Sequence, residues 1–330
     1  MVYREGNRAS DWVEVMHLCL TVPRGHLNLI DINRSSPIMF AEAAMLRDVP
    51  EYADLFRTYD GAVLVDNSPF KAGVHSGYGD PSLSFVDILK LSDRFTHPIV
   101  VLPDVRGNAA ETYENAAQAI SAMSELYHPL CMPRTCFVAQ GRDWDEWWQG
   151  FMRAEEMLKP DMIGVPYILD FHSPNSLLTR ETRETFKKLR DREASQAWTW
   201  ALNRAELVLS IQQLGLEFHE SRLLHLFGLG HPIELMFYAD EAAPDVYSLD
   251  TTLPFVAAVN GLVFDAPDNA EETFYGPTIA KPIWAGSHYL SNMEVYPEAT
   301  VELFHRNQSA MYRALKTGSY HSIVDAGGVL

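Results

Sequence analysis

Asp250 ends an apolar run, Val246 to Leu249, and is followed by Thr251, Thr252, Leu253 and Pro254. A carboxylate so placed can attack an anomeric carbon, the first step of retaining glycosyl transfer. The plainer alternative is a cap on the helix that follows. Asp66 closes the run from Gly61 and stands as its partner. A retaining exchange needs a second carboxyl that gives a proton to the departing group and takes one from the arriving group, and environment must separate the protonation of the two. The plainer alternative for Asp66 is a buried carboxylate held by backbone amides in the Asn67-Ser68-Pro69 turn.

Other polar groups arrive at comparable points along the chain. Asp104 follows Leu102-Pro103, Gln140 follows Val138-Ala139, and Gly164-Val165 lies within the run from Met162 to Ile168. Together they suit the edge of a guanine-like base: a carboxylate accepts from N1–H and the exocyclic amine, and an amide donates to the ring oxygen. Phe70 and Phe227, the latter followed by Gly228, can sandwich the ring, although each aromatic alone is more often a core residue.

Such groups act together only if the fold gathers them. The runs that read as strands are Gly61 to Asp66, Pro98 to Pro103, Thr135 to Gln140, Met162 to Ile168, Arg222 to Phe227, Val246 to Leu249 and Gly261 to Phe264. A first strand is expected near His26 to Ile32 or Ile38 to Phe40. Most are short and continuously apolar, the pattern of parallel strands covered on both faces. Between them, Tyr113, Ala116, Ile120, Met123 and Tyr127 recur at helical spacing. Asp143 with Glu146 resembles a capping pair, ahead of a buried stripe at Trp147, Phe151, Ala154 and Leu158. Strand and helix alternating in this way predict an α/β fold, a (β/α)8 TIM barrel whose active site lies at the carboxyl ends of its strands. An open doubly wound sheet is the competing arrangement. The expected organisation is a single domain over residues 1–330, with a polar helical insertion near 174–203 and a C-terminal helical extension near 290–330. In the insertion, Arg180, Arg183, Lys187 and Arg190 would form one basic stripe on a helix, either a solvated face or a phosphate-contacting one.

The 330 residues are 47% hydrophobic and 21% charged, which fits a globular chain with a sizeable core. A formal charge of −18 excludes a uniformly basic nucleic-acid-coating protein, so a polynucleotide would have to meet a local basic patch. Three cysteines, Cys19, Cys131 and Cys136, have no framework spacing and suit a reducing, cytoplasmic setting. The short apolar stretch Val13 to Val22 is broken by Glu14 and His17 and does not read as a signal peptide. No run is long enough to span a bilayer, so no membrane partner is expected.

The ordered series resembles the tRNA-guanine transglycosylase family, TIM barrels that exchange guanine for a 7-deazaguanine. Asp66-Asn67-Ser68-Pro69-Phe70 is similar to the family's Asp-Ser-Gly-Gly-Tyr/Phe motif, and Asp250-Thr251-Thr252-Leu253-Pro254 to its Asp-Cys-x-Leu-Pro nucleophile segment. Asp104 matches the base-reading Asp, Gln140-Gly141 the Val-Gln-Gly segment, and Gly164 a Gly-Leu pair that offers amides to the base. Leu226-Phe227-Gly228-Leu229-Gly230 matches Leu-Met-Gly-Val-Gly, with Phe227 in place of a Met that covers one ring face. The resemblance spans roughly residues 60 to 265. It implies Asp250 as nucleophile, Asp66 as general acid/base, and Asp104, Gln140, Gly164, Val165, Phe70, Phe227 and Gly228 as base-binding residues, with no cofactor.

Two departures refine it. No cysteine follows Cys136, so the family's C-terminal zinc subdomain, built on Cys-x-Cys-x-x-Cys and a later His, is missing and no metal is expected. Ser68 and Pro69 replace two glycines, which sends that loop on another course. Loss of the zinc subdomain points toward the divergent relatives, found in bacteriophages and bacterial DNA-modification clusters, that insert 7-deazaguanines (preQ0-like bases) into DNA. The partners implied are DNA, with tRNA the alternative, and the free bases guanine and 7-deazaguanine. A homodimer or accessory modification proteins are also compatible, and the setting would be a host cytoplasm for a phage protein. A TIM-barrel nucleoside or glycoside hydrolase and a non-catalytic paralogue are the competing classes.

Overall fold

The computed structural model describes residues 16–20, 36–56, 58–67, 82–173, 184, 196–213, 223–229, 234–235, 238, 246–251, 253–259 and 298–317. Their strands are β1 (His17–Leu20), β2 (Ile38–Glu42), β3 (Ala62–Asp66), β4 (His97–Val101), β5 (Arg134–Val138), β6 (Met162–Val165), β7 (Leu223–Leu226) and β8 (Val246–Thr251). All pair in parallel in one eight-stranded sheet of order β1-β8-β7-β6-β5-β4-β3-β2, and β1 lies against β2 to bring the sheet nearly to closure. This is the (β/α)8 barrel that the alternating runs predict, and the open doubly wound sheet is set aside.

The first strand is a correction. It is His17–Leu20, inside the short apolar stretch that sequence patterning leaves unassigned, and Ile38–Glu42 is the second strand. His26 to Ile32 and Gly261 to Phe264 lie outside the described residues, and the eight-strand order is filled without them.

Alternation along the strands builds two cores. Cys19, Ile38, Phe40, Ala62, Leu64, Ile99, Val101, Cys136, Val138 and Met162 face inward and fill the barrel. Leu18, Met39, Val63, Val65, Val100, Phe137, Ile163, Leu224 and Leu249 face outward under the helices. Because both faces are buried, the strands read as continuous apolar runs rather than alternating ones.

The helices are α1 (Ala43–Asp48), α2 (Pro50–Phe56), α3 (Phe85–Ser92), α4 (Ala109–Leu126), α5 (Trp144–Met157), α6 (Gln196–Gln213), α7 (Leu253–Val259) and α8 (Glu298–Thr317). Helix α4 starts at Asn108, whose side chain accepts from the Glu111 amide, and buries Tyr113, Ala116 and Met123. The Asp143 side chain caps α5 through the Glu146 amide, and Trp147, Phe151 and Ala154 form the buried stripe expected of it. Trp147 Nε1 donates to the Ala139 carbonyl at 2.9 Å, tying α5 to the residue before Gln140. Helix α8 packs along α7, with Asn307 Nδ2 donating to the Pro254 carbonyl at 3.3 Å.

Candidate active site

Inward-facing positions at the carboxyl ends of the strands converge on one mouth of the barrel, and the polar residues occupy them. Asp66 continues the inward parity of Ala62 and Leu64, Gln140 that of Cys136 and Val138, and Phe227 that of Leu223. Asp250 reaches this face by a different device. Val246 and Leu249 pack outward while Tyr247 packs inward, and the β7–β8 ladder shifts register between Leu224 and His225. The shift lets Ser248 face inward as well as Tyr247, so that Asp250 also points inward. Plain alternation from Val246 would have turned Asp250 toward the helices.

Asp66 is buried beside Glu42, its register partner on β2. Burial, reinforced by the nearby carboxylates of Asp104 and Asp250, pushes its carboxyl from the ordinary 3.8 up to about 8, against a hydrogen bond from the Asn67 amide. The turn amide does hold Asp66, as the plainer alternative requires, yet desolvation outweighs it and the group is protonated at neutral pH. Asn67 Oδ1, next in sequence, is buried and accepts no hydrogen bond among the described residues.

Asp104 and Gln140 form a unit across β4 and β5. Gln140 Nε2 donates to Asp104 Oδ2 at 2.6 Å, and Gln140 Oε1 accepts from the Gly107 amide at 3.3 Å. The amide is therefore oriented, with one N–H of Nε2 committed and the second without a partner among the described residues. Withdrawal from water pushes the Asp104 carboxyl up to about 6, only partly offset by the Gln140 hydrogen bond. At neutral pH Asp104 is an anionic acceptor while Asp66 carries a proton.

Asp250 Oδ1 accepts from the Gly228 amide at 2.8 Å and from His225 Nε2 at 3.2 Å. Among the described residues nothing is hydrogen-bonded to Oδ2. The neighbouring Thr251 Oγ1 accepts from the Leu253 amide at 3.0 Å at the start of α7. Gly228 has φ +68, a conformation natural to glycine, and this turn aims its N–H at Asp250. Its single N–H is thus spent on the carboxylate.

The Phe227–Gly228 peptide is held from its other side too. Its carbonyl accepts from Arg204 Nη1 at 2.7 Å, and Arg204 Nε donates to Glu234 Oε1 at 2.6 Å, both residues fully buried. The Tyr238 hydroxyl donates to the same Glu234 oxygen at 2.7 Å. Because C=O and N–H of a trans peptide point opposite ways, Arg204 on one side orients the donor to Asp250 on the other.

Gly164 and Val165 enter the site through carbonyls and space. The Gly164 carbonyl accepts from the Ala139 amide at 3.1 Å, and that of Val165 from the Phe227 amide at 2.9 Å. A Cβ on Gly164 would collide with the Phe227 ring edge and sit 3.0 Å from Val138 Cγ2, so only glycine lets the ring lie there. Phe227 also meets the His225 ring edge-on at a centroid distance of 4.5 Å. Phe70 and the Arg180, Arg183, Lys187, Arg190 stripe lie outside the described residues.

Neither a protein-family model nor a curated protein matches this chain. The chemistry of the site rests on its own geometry. Sequence patterning leaves several of its members without a role: His225 and Ser248 beneath Asp250, Glu42 beside Asp66, and the Arg204–Glu234 pair. Two carried a signal, since His225 shares the parity of Phe227 and Glu42 that of Phe40. Arg204 carried none, because a lone Arg within a helix reads as solvated. Among the described residues no group of three or more His, Cys, Asp or Glu side chains is arranged to hold a metal ion.

Proposed function

We propose that the chain is a base-exchange transglycosylase that replaces guanine in DNA with a 7-deazaguanine base through a covalent intermediate on Asp250. One observation carries the reading. Two carboxyls at one barrel mouth have divided tasks: Asp66 is pushed up to about 8 and holds a proton, whereas Asp250 accepts two N–H donors on one oxygen and leaves the other for attack. Asp104 with the spare N–H of Gln140 adds an acceptor and a donor side by side, the complement of a guanine edge.

In this scheme Asp250 Oδ2 attacks C1′ of the target nucleotide on the face opposite the base. The C1′–N9 bond breaks, its electron pair leaves with the guanine, and Asp66 gives that guanine its proton. The 7-deazaguanine then takes the vacated place, read by Asp104 and Gln140 and covered by Phe227. Asp66, now a carboxylate, removes its N9 proton, N9 attacks C1′, and the C1′–Oδ2 electron pair returns to Asp250. Two displacements at one carbon retain configuration and leave the polymer intact. Base extrusion from a duplex would come first.

The test incubates the protein with labelled guanine and duplex DNA, single-stranded DNA or tRNA. Label entering DNA, lost in Asp250→Asn, is the expected result. Label entering only tRNA moves the activity to that polymer. Abasic sugar without incorporation identifies a hydrolase, and exchange at the wild-type rate in Asp250→Asn removes Asp250 as nucleophile.

A further inference from the structure

We propose that His225 is a positioning residue for Asp250 that controls how readily the covalent intermediate resolves; the inference rests on Asp250 being the nucleophile. His225 is fully buried on β7. Its Nε2 lies 3.2 Å from Asp250 Oδ1 and its Nδ1 lies 2.8 Å from Ser248 Oγ, itself buried on β8. Oδ1 can only accept from Nε2 when Asp250 is a carboxylate, which assigns the ring proton to Nε2 and makes Nδ1 the acceptor of the Ser248 hydroxyl. Ser248 thereby selects the tautomer that donates to Asp250. Phe227, edge-on to the ring at 78°, holds its plane.

Both N–H donors, from His225 and from Gly228, meet the same carboxylate oxygen. Once Oδ2 is bonded to C1′, Oδ1 is the carbonyl oxygen of an uncharged ester and a weaker acceptor. As the C1′–Oδ2 bond breaks, negative charge returns to the carboxyl group and both hydrogen bonds strengthen. They therefore favour departure of Asp250 over its attack, the logic of donors aimed where charge develops. Without His225 the intermediate should form and then linger.

The experiment follows two quantities with one guanine-containing oligonucleotide and excess 7-deazaguanine: base exchange, and the protein–DNA adduct that survives denaturation. His225→Leu should lower exchange roughly tenfold while raising the adduct by a similar factor, the scale of one charged hydrogen bond. His225→Gln, whose amide can still donate to Oδ1, should restore both toward wild type. Ser248→Ala leaves the ring in place and should shift the adduct-to-exchange ratio in the same direction by about threefold, within the range of a single neutral hydrogen bond. Proportional loss of adduct and exchange in His225→Leu, or an unchanged ratio in a folded Ser248→Ala, overturns the role of His225 and leaves Asp250 as nucleophile. A wild-type protein that forms neither adduct nor exchanged product overturns the nucleophile assignment, and this inference with it.

Discussion

The burial of Asp66 ties stability to pH. Its carboxyl ionises near 3.8 in the unfolded chain and only near about 8 in the folded one, so between those values the folded state holds a proton that the unfolded state has released. Stability linked to this group is therefore full below 3.8 and declines as pH rises toward 8. Asp66→Asn should raise Tm by roughly 5 °C at pH 8 and by less at pH 5, while base exchange falls at least about a hundredfold. A melting series across pH checks the first and the labelled-guanine assay the second. Asp104 works in the opposite sense, because its acceptor role needs the anion, which is lost as pH falls through about 6. Guanine affinity of the wild type should thus weaken below pH 6. In Asp104→Ala it should be about tenfold to a hundredfold lower at pH 7.5 and should lose that acid limb, as titration calorimetry would read.

At the scale of elements, the β7–β8 pair carries most of the precision. The register shift beside His225 sets which residues of β8 face the barrel, and the Phe227–Gly228 peptide connects α6 to Asp250 through Arg204. Cutting that connection leaves Glu234 buried without its cation. Arg204→Met should therefore cost about 3–5 kcal/mol in chemical denaturation, the usual penalty for breaking one side of a buried pair. It should also reduce exchange beyond the fraction unfolded, since the Gly228 N–H loses its guide. A variant as stable as wild type would mean that the pair is relaxed by other partners.

For the whole molecule, the governing quantity is charge. A chain at −18 repels a polyanion except where cations cluster, so the proposed DNA binding would have to be local and strongly salt-dependent. Reversing Arg180 and Arg183 together should reduce the slope of log affinity against log salt by roughly 2, about one unit for each phosphate contact removed, and leave free-guanine affinity unchanged. Fluorescence anisotropy over a salt series measures the slope, and an unaltered slope would make the stripe a solvated face. Among the described residues no helix is long and apolar enough to cross a membrane.

Patterning of the sequence determined the architecture because a parallel barrel writes itself locally. Each inner strand is a short apolar run, each helix has its own stripe and cap, and Asp143, Trp147 and Phe151 or Tyr113, Ala116 and Met123 are legible within one turn or two. The ends of those runs also named Asp66, Asp104, Gln140 and Asp250 as polar residues on the carboxyl side of strands. β1 escaped because four residues interrupted in polarity, with His17 at their head, carry too little periodicity. Which way each side chain points, and what it touches, was a matter for the tertiary structure alone. The inward turn of Asp250 depends on a ladder shift that only β7 can impose on β8. The protonation of Asp66 depends on burial and on carboxylates that stand 38 and 184 positions away along the chain, at Asp104 and Asp250. Distance in sequence hides such partners, because electric fields and close packing act through space.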